Sequence, residues 1–288
     1  MRHEEGRFSG ARGITIYEQA WMPDGDPAAV VVIAHGFAEH GGRYAQLAAR
    51  LVDSGYAVRV ADNRGHGRSG GKRTAVVRFS DYVDDLHAEI QRSRDRMGAL
   101  PLLLVGHSMG GLIALALATT HPDDIDALVV SAPPVLPGDV SAVTLAVGRL
   151  LSRVTPDVCV LRLPLHKISR DPAVVAAYTN DPLVFRTPVR ARLGAEMLAT
   201  MQQVDAALPS LRVPLLVMQG ADDALVDPRN GPRVHERAGA DDKTLKMYDG
   251  LWHEIFNEPE RERVLDDLVT WLDAHAQSPR AKAAAGAR

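Results

Sequence analysis

Cysteine is nearly absent from this chain. Cys159 stands alone in 288 residues, which excludes an internal disulfide and any cysteine-based metal cluster. A lone thiol reads as a small buried hydrophobe rather than a nucleophile. Excess charge is also missing: the net charge of −3 makes no electrostatic case for nucleic acid as a partner. The opening residues Met1-Arg2-His3-Glu4-Glu5-Gly6 contain no apolar h-region, so no secretory signal is expected. No uncharged apolar run reaches about 18 residues, so no spanning helix is expected either. The expectation is therefore a chain in the cytoplasm or peripheral at a membrane. What remains is ordinary globular material, 46% hydrophobic and 24% charged. It is enough to bury a sizeable core in one large domain or two small ones.

Strand and helix patterns alternate along the first half. Gly13 to Gln19 reads as an early, half-exposed strand, and Pro23–Pro27 as a turn. Val30–Ala34 is a β-branched run suited to a strand buried on both faces. A helix is expected from Tyr44 to Ser54, stopped by Gly55, and the next strand from Tyr56 to Ala61. Asp62 to Phe79 is Gly- and Arg-rich and reads as a loop. Ser80 reads as the N-cap of a helix reaching Met97. Ala127–Val130 is a further strand. Residues 135–209 break the pattern, with prolines spaced between short helical patches and no buried strand in evidence. Alternation then resumes with strands at Pro214–Gln219 and Thr244–Tyr248 and helices at Pro228–Ala238 and Glu258–His275. The Ala-rich tail at 277–288, with Arg280, Lys282 and Arg288, reads as disordered. Such alternation implies an α/β fold, a mostly parallel sheet with helices on both faces. Its core is expected from 1–134 and 210–276, with 135–209 inserted as a mainly helical lid over the carboxyl ends of the strands, where open α/β sheets bind ligands.

Gly106-His107-Ser108-Met109-Gly110 carries the chemistry. It lies between the apolar run Leu102–Val105 and the apolar run Leu112–Leu117. Strand, G-x-S-x-G, helix is the setting of a nucleophile elbow. A serine hydroxyl is a weak nucleophile, so it needs a base, an orienter for that base and oxyanion donors. In the α/β-hydrolase arrangement these follow in the order serine, acid, histidine. Asp223 follows the strand Leu215–Met218, and His253 follows the last strand. The G-x-x-D spacing from Gly220 selects Asp223 over Asp222, and Asp227 before Pro228 reads as a turn residue. The oxyanion donors expected are the backbone N–H groups of Met109 and of Phe37, in the loop after Val30–Ala34. Each such donor contributes about 3–4 kcal/mol to a transition state.

Competing signals are weaker. Gly65-His66-Gly67-Arg68-Ser69-Gly70 formally matches G-x-G-x-x-G, but no helix is expected to open within it, so a tight loop outweighs dinucleotide binding. Lys72 lacks the context of a P-loop. His35, His40, His66 and His107 show no metal-ligand spacing, and His87, His121, His235 and His275 read as surface helix or helix-end residues. Neither cofactor nor metal is expected. Val143, Leu145, Val147, Leu150, Leu151 and Val154, interrupted by Arg149 and Arg153, form an apolar helix in the insertion. It reads equally as packing on its own domain and as a wall for an acyl chain, with transient membrane-surface contact a weaker third reading.

Several stretches together are familiar. His35-Gly36-Phe37-Ala38-Glu39-His40 with Arg43-Tyr44, Arg64–Ser69, Gly106–Gly111, Ser169-Arg170-Asp171-Pro172 and Tyr178–Leu183 resemble the monoacylglycerol lipase family, the bacterial members above all. The resemblance extends through Ala207–Leu211 and Leu245–Tyr248 and covers roughly residues 10–273. It implies an α/β-hydrolase that cleaves monoacylglycerols to fatty acid and glycerol without a cofactor. It also implies a Ser108, Asp223, His253 triad and glycerol contacts at Glu39, Arg43, His107 and Tyr178. Two departures stand out: Ala224 replaces the commoner arginine after the acid, and Phe256 stands near where the family carries a second histidine. Lysophospholipase or broad carboxylesterase activity on the same fold is the alternative. A non-catalytic binding protein on a hydrolase scaffold is a third, disfavoured because all three triad positions are filled.

Overall fold

A computed structural model describes residues 1–137 and 142–276, apart from the side chains at 142–146 and 149. The expected tail and the helix positions Val143, Leu145 and Arg149 fall outside those described. In chain order the elements are β1 (Arg2–Ser9), β2 (Thr15–Met22), β3 (Ala29–Ala34), α1 (Ala45–Asp53), β4 (Tyr56–Ala61), α2 (Ser80–Met97), β5 (Leu102–His107), α3 (Met109–Thr120) and β6 (Ala127–Ser131). Then come α4 (Ala142–Val154), β7 (Cys159–Leu161), α5 (Pro172–Asn180), β8 (Val189–Arg190), α6 (Ala191–Ala207), β9 (Leu215–Gly220), α7 (Asn230–Arg237), β10 (Lys243–Tyr248) and α8 (Arg261–His275).

Eight strands form one sheet in the order β1-β2-β4-β3-β5-β6-β9-β10. The pairs β1–β2 and β2–β4 are antiparallel, and the rest are parallel. Successive side chains of the central strands enter opposite layers, as the two-residue period of a strand requires. Val30, Val32, Leu102, Leu104, Leu128 and Val130 pack with α2, α3 and α7. Val31, Ile33, Leu103, Val105 and Val129 pack with α1 and α8. Every residue of α3 from Met109 to Ala118 is buried. A helix apolar on all sides has that fate, and here α2 and α6 cover its outer side.

Two readings change, on Ser80 and on Cys159, and two further features appear that the sequence pattern did not show. The strand β1 was not legible, because Arg2–Glu5 are exposed and show no apolar alternation. Ser80 is the first helical residue rather than the cap, and Phe79 occupies the cap position without a side-chain bond. The Phe79 N–H instead donates to Glu196 Oε2 at 3.0 Å, from α6. Between β6 and β9, where no buried strand was expected, β7 and β8 pair as a short antiparallel ribbon of which β7 is wholly exposed. Cys159 lies on its exposed strand and is itself exposed, not buried. Three residues that face solvent leave no periodic signal. No helix of the described residues is long and apolar enough to cross a membrane.

Candidate active site

The parallel strands deliver their following loops to one edge of the sheet, and the expected residues meet there. Ser108 sits between β5 and α3 at φ 53° and ψ −120°, a left-handed conformation that costs a non-glycine residue about 1–3 kcal/mol. Its neighbours hold it there: its N–H donates to the Ser131 carbonyl (2.8 Å), and its carbonyl accepts from the Leu112 N–H (3.1 Å). A Cβ at Gly110 would lie 2.0 Å from the Ala34 carbonyl oxygen. Only glycine lets α3 start that close to β3.

His253 enters from the loop after β10. A Cβ at Gly220 would lie 2.1 Å from the Trp252 carbonyl oxygen, so a glycine at the end of β9 lets this loop pass. Asp223 Oδ2 accepts from His253 Nδ1 at 2.7 Å. The same oxygen accepts from Gln219 Nε2 (3.1 Å), and Oδ1 accepts from the N–H groups of Leu225 (2.8 Å) and Val226 (3.0 Å). Asp222 is exposed, one residue too early to face inward, and Asp227 is a turn residue bonded to Arg229. Burial pulls the His253 imidazole down, yet the Asp223 carboxylate and its hydrogen bond, then Glu254 and Glu39, hold it above its ordinary value. Burial pushes the Asp223 carboxyl up, and its contacts with His253 and the two backbone N–H groups bring it below the usual carboxylate range. An aspartate so held keeps the imidazole in one tautomer, with Nε2 available as a base.

Ser108, His253, Phe37 and Met109 all line one cavity of about 600 Å³. Met109 opens α3, whose first N–H groups have no partner within the helix. The loop carrying Phe37 is fastened by His35, whose Nε2 accepts from the Asn63 N–H (2.8 Å). That leaves the proton on Nδ1, which donates to the Gly36 carbonyl (2.8 Å). Glu39, His107 and Tyr178 also line the cavity. Arg43 stands behind that wall, its guanidinium taken up by Glu39 and Glu254. Burial, then the neighbouring His253, pulls His107 down to about 4. Most of the remaining wall is apolar and comes from the segment between β6 and β9: Leu151, Leu163, Ile168, Met197, Leu198 and Met201 among others.

Two residues that sequence patterns did not single out support the site. Glu254 adjoins His253 and bonds Arg43. Buried Asn230 accepts the N–H groups of Val135 (2.6 Å) and Leu136 (2.7 Å). No spacing rule reveals either. Of the two departures, Phe256 is buried in the core layer beneath α8; Ala224 is exposed, and nothing in the structure explains it. The Gly65–Gly70 run opens no helix, since α2 begins only at Ser80.

His87 and His121, read as separate surface residues, come together from two helices around Asp124. Their rings stack with centroids 4.1 Å apart and planes at 17°. His87 Nε2 pairs with Asp124 Oδ2 at 2.9 Å. The trio is a stacked pair on a carboxylate.

The chain matches the family described as serine aminopeptidase, S33, over residues 25–260. It is 40% identical over 272 residues to a monoacylglycerol lipase of Mycolicibacterium smegmatis, covering 94% of this chain and 97% of the relative. It is 36% identical to the phospholipase YtpA of Bacillus subtilis, over 88% of this chain and 98% of that one. The crystal structure of a Paleococcus ferrophilus monoacylglycerol lipase superposes with a TM-score of 0.80 at 29% identity, covering 96% of this chain and all of the other.

Proposed function

This chain belongs to the monoacylglycerol lipases of the serine aminopeptidase S33 hydrolases and is a carboxylic ester hydrolase, and we propose that it cleaves monoacylglycerols through an acyl-enzyme on Ser108. The observation that carries this reading is the buried 2.7 Å contact of His253 with Asp223, beside Ser108 on a strained turn. In the proposed reaction His253 Nε2 takes the Ser108 proton as Oγ attacks the ester carbonyl. Asp223 stabilises the imidazolium. The N–H groups of Phe37 and Met109 receive the developing oxyanion. His253 then protonates the departing glycerol oxygen. In the second half it takes a proton from water, which attacks the acyl carbonyl, and returns that proton to Ser108 Oγ as the acyl bond breaks and the fatty acid leaves.

Residues 135–209 act in this proposal as a lid whose inner, apolar wall holds the acyl chain. Glu39, His107 and Tyr178 bound the alcohol end. The same segment leaves Val147, Leu150, Val154, Val160 and Leu161 exposed, and Val147, Val160 and Leu161 among them also line the cavity. Such a patch suits transient contact with a lipid surface.

The similarity to a bacterial phospholipase favours lysophospholipid as a second substrate reading. A kcat/KM panel across 1- and 2-monoacylglycerols and lysophospholipids separates the two. Monoacylglycerol is expected to lead, and lysophospholipid in first place would replace it. Ser108→Ala is expected to lower kcat by roughly 10⁶-fold and abolish fluorophosphonate labelling; retained turnover would remove Ser108 from the mechanism.

A further inference from the structure

We infer that Arg43 is a positioning residue of the ester hydrolysis: it clamps the loop after β3 to the loop that carries His253 and neutralises two carboxylates beside that imidazole. The inference rests on the reading of Ser108, His253 and Asp223 proposed above. Three elements distant in the chain converge on one guanidinium. Arg43 Nη1 donates to Glu39 Oε2 at 2.5 Å. Glu39 Oε1 in turn accepts the Gly36 N–H (2.6 Å) and the Tyr44 hydroxyl (2.7 Å). The carboxylate thus fastens the start of the loop that carries Phe37. On the other side, Arg43 Nη1 and Nη2 donate to the two oxygens of Glu254, both at 2.7 Å. Glu254 is joined to His253 by a peptide bond. Over the third side, the guanidinium lies 4.5 Å from the ring centre of Tyr178, on α5.

All three charged side chains are at most 10% exposed. A buried arginine fork holding two carboxylates fixes distance and orientation at once, which a lysine ammonium does not. The electrostatic consequence falls on His253. The groups facing it are Asp223, Glu254 and Glu39, which favour its protonation, and His107, whose ring centre is 4.8 Å away. Arg43 offsets two of those three carboxylates. Without it the imidazole would hold its proton to higher pH and serve less well as a base near neutrality.

The test measures kcat and KM across pH for a water-soluble short-chain ester, per site titrated by a fluorophosphonate. For Arg43→Met, kcat per site is expected to fall about tenfold to a hundredfold with KM little changed, and the acid limb of kcat/KM to move to higher pH. Arg43→Lys keeps the charge and loses the fork, so its acid limb stays in place while kcat still falls. Glu254→Gln removes one carboxylate and moves the limb to lower pH. The double variant Arg43→Met/Glu254→Gln returns it towards the wild-type position. An unmoved acid limb in Arg43→Met, or wild-type kcat per site, overturns the clamp. Should Arg43→Met not fold, an unmoved limb in Glu254→Gln overturns it instead. Wild-type protein that the fluorophosphonate does not label defeats the nucleophile assignment, a separate failure.

Discussion

The strand-end loops and the segment between β6 and β9 face each other across the same cavity, and they are built oppositely. On the strand side, buried polar groups are tied by directional bonds: Asp223 accepts four hydrogen bonds, one of them from His253. On the insertion side the wall is nearly all aliphatic, and the same segment leaves Val147, Leu150 and Leu161 exposed. Hydrogen bonds demand angles and distances, so the first side defines positions to a fraction of an ångström. Apolar contacts are non-directional, so the second defines a volume. Under the function proposed above, the difference means that reaction and substrate range are held by separable parts of one molecule, coupled where Arg43 meets Tyr178.

Substitutions on each side should therefore fail differently. The largest effect after loss of Ser108 is expected at the orienting acid. Asp223→Asn should lower kcat by roughly 10⁴-fold, by presenting an amide where the imidazole needs an acceptor. Asp222→Asn, one residue away and exposed, should change it by less than about twofold. Equal losses in steady-state assays of both variants would dissolve the contrast between buried partner and exposed neighbour. On the opposite wall, Gly194 lines the cavity, and the nearest atom to a Cβ there would be Val189 Cγ1 at 3.6 Å. Gly194→Leu fills volume without touching the strand side. Its kcat/KM for long-chain monoacylglycerols should fall about tenfold more than for short-chain ones. A uniform loss across chain length would mean that the wall also sets the chemistry.

The last effect concerns stability and leaves the comparison of the two walls untouched. Burial, then the neighbouring His35, pulls His66 down to about 3, and burial likewise brings His107 to about 4, both from 6.5. Both imidazoles stay neutral in the fold and take up protons in the unfolded chain once the pH drops below about 6.5. Stability is then full above that pH and falls through the interval down to about 4, by up to ~1.4 kcal/mol per pH unit for each histidine. Denaturant titrations at neutral and mildly acid pH check this. His107→Gln should flatten the dependence, and an unchanged slope would show that another group sets it.

Legibility in the sequence followed the range of the interactions. The buried strands β3, β5 and β6 were readable because their runs Val30–Ala34, Leu102–Val105 and Ala127–Val130 are apolar throughout, and β4 because its apolar run is bounded by Gly55 and the Gly- and Arg-rich loop after Ala61. The charged edge strand β1 and the solvent-facing β7 were not, since pairing without burial leaves no pattern. Ser108 was readable from its flanks, and Asp223 over Asp222 from its distance to Gly220. Phe79 capped by Glu196, 117 residues away, was not. Neither was the meeting of His87 with His121 across two helices.

By itself, then, the sequence determined the order of the buried strands and the helices packed on them, the turn that presents Ser108, and the places of Asp223 and His253 after it. Those properties reside in period, in small residues and in short spacings, and local sterics enforce them wherever the chain runs. Only the tertiary structure decided what the polar groups behind the cavity do. Arg43, readable as a substrate contact, is drawn away from the cavity by Glu39, four residues before it, and by Glu254, 211 residues after it. A hydrogen bond between loops exists only once the sheet has set their ends side by side, and no spacing along the chain encodes that distance.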